Sequence, residues 1–378
     1  MTASLVVGIL LSAVYTVYSY IFTDRALLTI VGQTKPGLEI FVEELQKNTP
    51  LELVNQLGFS LLILLLLIAA YMVFSKKTVD KQTFWLALMI PFLLVFAYPT
   101  VSRDIFSYLY YPKMILVYHQ NPYQVIPLAN RAVDLWLGFV HNTDRTYAYG
   151  PISLLINLVP MAILGAEKLM VNLYFYKLTC LGFFLFGTWL LLQLTKNRNL
   201  VVALWILNPY ILNELLINNH NDLMMIVFFW WAIYLWQNSK KLWSLLSYTM
   251  SIGTKYVTAP LLPLLFLSKK WQTILAIAVT ILLPIILIYH GYLTWYFTWL
   301  YFCLPYLKLT KVQLVSWLLL QLSLTLGYAG FLETGMWGPP SSNALIYLMA
   351  SSTKIFMGIF ILTMVFSIKN PSQKSRGN

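Results

Sequence analysis

A few ionisable side chains stand in apolar surroundings where a charge is expensive: Asp104, Glu214, His220, Asp222, Lys255 and His290. Asp104 follows Arg103 directly after an apolar run and precedes an aromatic stretch that includes Phe106 and Tyr108. A partly desolvated carboxylate at such a boundary can serve as a general base toward a hydroxyl, or it can simply cap the helix that follows. The run Asn218-Asn219-His220-Asn221-Asp222 comes soon after Asn208-Pro209-Tyr210 and Glu214. Asp222 could be a helix cap and Glu214 a satisfied acid, yet this run carries more amide, imidazole and carboxylate groups than a hairpin requires. Ionisable groups at membrane depth are functional candidates by default. Lys255 sits in Gly-Thr-Lys-Tyr ahead of Pro260 and Pro263, where a helix must break. Its ammonium can snorkel to the interface, or join freed backbone amides in binding an anion.

Between these points lie Asn121-Pro122-Tyr123, Arg131, Asp134, Asp144, Arg145 and Tyr147-Ala-Tyr149-Gly150-Pro151. A rim of His290, Trp295, Tyr296 and Trp299 follows later. Aromatic side chains at such a place form an interfacial belt or a platform for sugar rings and isoprenoid chains, and composition does not separate the two. The role of His290 stays open. Asp104, Glu214, His220 and Asp222 are acceptable metal ligands, but no spacing among them is diagnostic. No cofactor is called for, and a divalent cation stays open. Cys180 and Cys303 both fall in apolar runs, which disfavours a disulfide framework.

The elements that must hold these residues follow from composition. The chain has 378 residues, 59% of them hydrophobic and only 10% charged, with a mean hydropathy of +0.71. A soluble domain carries about 25% charged residues, so the expectation is an all-α, polytopic membrane protein forming a single integral-membrane domain over residues 1–378. Apolar runs predict spans at about 3–22, 56–74, 83–101, 169–194, 200–217, 222–237, 271–289, 294–308, 312–332 and 344–367. A broken helix over 242–267 brings the total to about eleven, and 151–165 is expected to be half-embedded. The N-terminal run lacks a basic leader and is read as an uncleaved first helix.

The net charge of +12 does not point to nucleic acid, because the cations fall in small clusters between apolar runs, such as Lys196/Arg198, Lys240/Lys241 and Lys269/Lys270. Such clusters mark short cytoplasmic turns. Both termini are then cytoplasmic, and every acid except Asp80 lies on the outer side. Residues 102–149 become an extracytoplasmic loop with interfacial helices and the candidate carboxylate. There is no Walker A motif, no dinucleotide-binding glycine motif and no internal repeat. Cytoplasmic turns this short leave no room for a nucleotide-binding domain.

An ordered set of motifs resembles the GT-C superfamily of polyprenyl-phosphate-sugar-dependent membrane glycosyltransferases, and within it the mycobacterial α-1,6-mannosyltransferase type. The set is Arg103-Asp104-Ile-Phe106-Ser-Tyr108 with Asn121-Pro122-Tyr123; Tyr149-Gly150-Pro151; Asn208-Pro209 with His220-Asn221-Asp222; Lys255 ahead of its prolines; and Trp295-Tyr296 with Trp299. It covers roughly residues 85–305. Asn218-Asn219 replaces the small residues that precede His-Asn-Asp in that family.

The resemblance implies an inverting transfer of a hexose, expected to be mannose, from a polyprenyl-phosphate donor to a glycolipid or glycan acceptor at the outer face of the plasma membrane. Asp104 would be the base, with His220 and Asp222 orienting it or the sugar. Lys255, Arg103, Arg131 and Arg145 would receive the donor phosphate. Tyr108, Asn121, Tyr123, Tyr149, Glu214, Asn221, His290, Trp295 and Tyr296 would contact substrate. Two alternatives share the architecture: a transporter or flippase for lipid-linked sugars, and a lipid-linked glycan ligase or polymerase. The product separates them: a bond from a monosaccharide donor, a transferred oligosaccharide, or translocation without a bond.

Overall fold

Apolar segments without water must close their backbone hydrogen bonds internally, and helices do this within one segment. In the computed structural model, which describes residues 2–24, 27, 36–75, 78–138, 140–289, 294–328 and 344–369, every regular element is helical and no strand occurs among the described residues. The principal helices are α1 (Thr2–Tyr18), α2 (Pro36–Asn48), α3 (Leu51–Phe74), α4 (Lys81–Leu94), α5 (Asp104–Tyr118), α6 (Pro151–Leu164) and α7 (Leu169–Thr195). They continue as α8 (Arg198–Ile206), α9 (Pro209–Ile217), α10 (Asp222–Gln237), α11 (Lys241–Thr254), α12 (Lys269–Tyr289), α13 (Lys311–Leu326) and α14 (Ala344–Lys369).

Four of the described helices are long and apolar enough to cross a membrane: Thr2–Phe22, Leu51–Phe74, Leu169–Thr195 and Lys269–Leu287. The pair α8–α9, bent by 46°, makes a fifth as one broken span. The expected count of about eleven is therefore not reached by full-length spans. Helices α4, α10 and α13 have 14, 16 and 16 residues, or roughly 21–24 Å against a hydrocarbon core of about 30 Å. The segment expected as a span over 294–308 is instead a 3₁₀ helix, Thr294–Tyr306. The span expected over 200–217 is broken at Asn208-Pro209. Asn208 Oδ1 accepts the amides of Tyr210 and Ile211 at 3.0 and 3.4 Å, while its Nδ2 donates to Tyr301 Oη at 3.1 Å and to Gln321. The capping interaction starts α9, and the proline removes the amide that would have continued α8. The broken helix expected over 242–267 is present as α11 followed by Tyr256–Leu261 and Pro263–Phe266.

The centre of the bundle is α10, which buries nearly its whole surface, from Leu223 to Leu235. A helix apolar on every face belongs inside. It packs against α7, α11 and the Thr294–Tyr306 segment. The α10–α11 pair is fixed by a serine row: Ser244, Ser247 and Ser251 donate to the carbonyls of Ala232, Phe228 and Met225 at 2.7, 2.8 and 2.8 Å. Serines three and four residues apart share one helix face, and their small size lets two backbones approach closely. This row carries the end of α11, and hence Lys255, up to the start of α10, where Asp222 stands.

The cation-rich turns gather at the opposite end. Arg198 donates to the Val79 carbonyl at 2.8 Å and Lys311 to that of Phe74 at 3.4 Å. The bundle therefore has one basic end and one end where the candidate chemistry collects.

Candidate functional site

The turn Asn218–Asp222 joins the short α9 to α10, with Asn219 in the left-handed conformation at φ 55°. Each of its side chains reaches a different element. Asn218 Oδ1 accepts the consecutive amides of Thr100, Val101 and Ser102 at 3.1, 3.1 and 3.2 Å, fixing the strap that leads into Asp104. Asn219 Oδ1 accepts from the buried Lys177 ammonium at 2.6 Å. Lys177 also donates to the carbonyls of Ala97 and Ile217 at 2.9 and 3.3 Å, so oxygen dipoles rather than a carboxylate surround this cation. Asn221 Nδ2 donates to Ser153 Oγ on α6 at 3.1 Å, and its Oδ1 accepts from Tyr108 at 3.5 Å. Asp222 is fully buried, one oxygen paired with Lys255 Nζ at 2.7 Å and the other accepting Trp299 Nε1 at 2.6 Å.

His220 lies flat on Trp295, ring centroids 5.1 Å apart at 18°. Its Nδ1 is 3.5 Å from Asp104 Oδ2 and its Nε2 3.4 Å from Glu214 Oε2. These contacts are ion pairs, and among the described residues neither ring nitrogen has a hydrogen-bond partner.

Asp104 and Lys255 open into one cavity of about 600 Å³, their side chains 18% and 14% exposed. Arg103, His141, Arg145, Tyr149, Trp295 and Tyr296 are among its polar and aromatic lining, with Phe22 and Leu51 among the apolar. Arg103 is tied to Asp24 at 2.7 Å. Burial alone would raise the carboxyl of Asp104, but the nearby charge of His220, with Lys255 and His141, outweighs it and holds the group below the ordinary carboxylate range. Burial likewise opposes a charge on His220, yet Asp104, Glu214 and Asp222 together raise its pKa. His141 moves the other way, lowered by burial and by Arg103. The cavity therefore holds an ionised carboxylate near neutrality, backed by an imidazole that favours its proton.

Two glycines bring the Tyr149 turn against the end of α11. Gly150 donates its amide to the Thr254 carbonyl at 3.1 Å, and a Cβ on Gly150 would collide with the backbone of Gly253. Gly150→Ala is expected to push Tyr149 away from Lys255 and lower turnover by up to about 10²-fold, the size a displacement of about 1 Å can have. Gly182→Ala, with nothing within 4 Å of the added carbon, should leave turnover unchanged. Parallel turnover and melting measurements on the two variants check this.

Of the residues singled out from sequence, Asp104, Arg103, Arg145, Tyr149, Lys255, Trp295 and Tyr296 line this cavity. His220, Asp222, Glu214, Asn221 and Tyr108 lie buried behind it. Asn121 and Tyr123 form a turn, the Tyr123 amide on Asn121 Oδ1 at 3.0 Å, and Tyr123 Oη donates to the Tyr149 carbonyl at 3.2 Å. They brace the cavity wall without lining it. Arg131 faces a separate concavity with Leu128 and Leu135. His290 lies outside the described residues. Asn218, Asn219, Lys177 and His141 were not singled out as site residues, although a lone lysine inside a 27-residue apolar helix is a signal of the kind that marks function. Among the described residues no group of three or more His, Cys, Asp and Glu is arranged to hold a metal ion.

A family model for the alpha-(1→6)-mannopyranosyltransferase N-terminal domain matches residues 5–271. The chain belongs to this family. It is a glycosyltransferase of the mannosyltransferase type. The match starts at residue 5, well before the motifs at 85–305, and so takes in α1 to α3 as well as Asp104. Asp104, His220, Asp222 and Lys255 all lie inside the matched region, whereas Trp295, Tyr296 and Trp299 lie beyond it. No curated protein and no solved structure matches the chain.

Proposed function

We propose that this mannosyltransferase moves mannose from a polyprenyl-phosphate donor to a hydroxyl of a glycolipid or glycan acceptor, at the extracytoplasmic face of the plasma membrane, by one inverting displacement. The observation that carries the reading is a carboxylate, Asp104, and a lysine, Lys255, lining the same cavity. Asp104 takes the acceptor proton as the acceptor oxygen bonds to the anomeric carbon. The bond from that carbon to the phosphate oxygen breaks, and its electron pair leaves with the lipid phosphate. Lys255 and Arg145 stabilise the charge that develops there. A single displacement inverts the anomeric centre, so an α-linked product requires a β-linked donor.

Two further features support the lipid donor and the face. An apolar pocket of about 90 Å³ between α1, α3, α9 and α13 shares Phe22, Thr100 and Val101 with the cavity, and offers an isoprenoid chain a path from the bilayer. The cavity lies at the end of the bundle away from the cation-rich turns, which the positive-inside rule assigns to the cytoplasm.

The test is transfer by the purified protein in nanodiscs, given radiolabelled polyprenyl-phosphate mannose and a panel of lipid and oligomannoside acceptors. A labelled, alkali-stable mannoside is expected. Absence of transfer from every polyprenyl-phosphate sugar, or movement of the lipid between leaflets without a new glycosidic bond, overturns the reading.

A further inference from the structure

Glu214 is fully buried and does not line the cavity, so a sugar or phosphate bound there does not reach it. Its carboxylate is nevertheless held firmly. Oε1 accepts from Asn213 Nδ2 at 3.1 Å and Oε2 from Tyr328 Oη at 3.1 Å, while the backbone carbonyl accepts the His220 amide at 3.1 Å. The Leu212–Ile217 segment that carries it is wound as a π-helix, a rare local form that recurs at functional sites. What this carboxylate faces is His220 Nε2 at 3.4 Å, on the ring whose other nitrogen faces Asp104 at 3.5 Å.

We propose that Glu214 is a positioning residue, the rear member of a Glu214–His220–Asp104 relay that keeps an Nδ1–H aimed at the base and a proton stored behind it. This rests on Asp104 being the base of the transfer. A neutral imidazole has one donor and one acceptor nitrogen. With Nδ1–H directed at Asp104, Nε2 either carries a second proton toward an ionised Glu214 or accepts one from the protonated acid. Both forms place one proton between His220 and Glu214 and leave Asp104 ionised. Without a carboxylate behind it, the ring can take the tautomer whose lone pair faces Asp104, which repels the base and favours its protonation.

The charged and titratable groups that share this environment are Asp222 beside the imidazole, Lys255 and His141 around Asp104, and Arg103 beyond His141. Tyr108 donates to Asp104 at 3.4 Å and Tyr328 to Glu214. None of them contacts Nε2 by a hydrogen bond, and among the described residues the charged group paired with that nitrogen is Glu214, at 3.4 Å.

The experiment is the pH dependence of kcat and kcat/KM for wild type, Glu214→Gln and Glu214→Asp in nanodiscs, with Asp104→Asn alongside. Glutamine removes the rear charge. His220 then loses its proton at lower pH, and Asp104, deprived of a cationic neighbour, gains one at higher pH. Both limbs of the profile move inward, kcat at neutrality falls by about tenfold or more, and KM stays within about twofold. Glu214→Asp restores the width of the profile. A loss that is uniform across pH, or a rise in KM at unchanged kcat, overturns the relay. If Glu214→Gln does not fold, Tyr328→Phe, which removes one fixing hydrogen bond, must narrow the profile in the same sense, and an unshifted profile counts against the relay. Wild type without transfer, or Asp104→Asn with turnover like wild type, removes the base itself and is read separately from the Glu214 profiles.

Discussion

Asp104→Asn should fold, insert and melt like the wild type while losing about 10²–10⁴ in turnover, the contribution a general base makes. Asparagine keeps the size of the side chain, and its carbonyl oxygen can still accept from Tyr108, which donates to the carboxylate at 3.4 Å. The side chain lines an open cavity, so the substitution creates no void and buries no unpaired charge. What it removes is the ability to take a proton. The expected result is therefore a separation: melting temperature within a degree or two of wild type, KM for donor little changed, kcat nearly gone. Retention of more than about a tenth of wild-type turnover would assign the proton transfer to another group. A large drop in melting temperature would instead mark Asp104 as a structural anchor for the strap that Asn218 holds at residues 100–102.

How much of this was legible without coordinates depends on what each residue's surroundings write into the local sequence. Asp104, His220, Asp222 and Lys255 stand out because a charged or imidazole side chain in an apolar run is costly unless something answers it. The helix break at Asn208-Pro209 and the broken helix before Lys255 follow from proline chemistry. The count of full spans was not legible. Hydropathy registers how apolar a run is, but not whether it winds as one helix, as happens for Leu169–Thr195, or as a 3₁₀ segment, as happens for Thr294–Tyr306. Pairings across the fold were equally hidden. Nothing local says that Asn218 gathers amides from residues 100–102, or that Lys177 lies under the His220 turn among carbonyl oxygens. Asn218-Asn219 looked like a departure from the family pattern. In the fold these two amides anchor the turn to the Asp104 strap and to α7.

Lys255→Met is expected to cost both stability and rate, and the two losses can be taken apart. The ammonium pairs with Asp222 at 2.7 Å, and Asp222 is fully buried with Trp299 Nε1 as its further hydrogen-bond partner among the described residues. Removing one member of a buried pair leaves the other charge unanswered, at a cost of about 3–5 kcal/mol. Asp222→Asn made together with Lys255→Met removes that charge while an amide oxygen still accepts from Trp299, so most of the lost melting temperature should return. Turnover should not return. If the lysine stabilises charge on the departing phosphate, its loss lowers kcat by about 10²–10³, as removal of one donor from an anion-stabilising site does, whether or not Asp222 is neutral. A double variant that recovers both stability and kcat would make Lys255 a counterion to Asp222 and nothing more. The leaving phosphate would then have to be met by Arg145, which lines the cavity and, among the described residues, is not tied to a carboxylate as Arg103 is to Asp24.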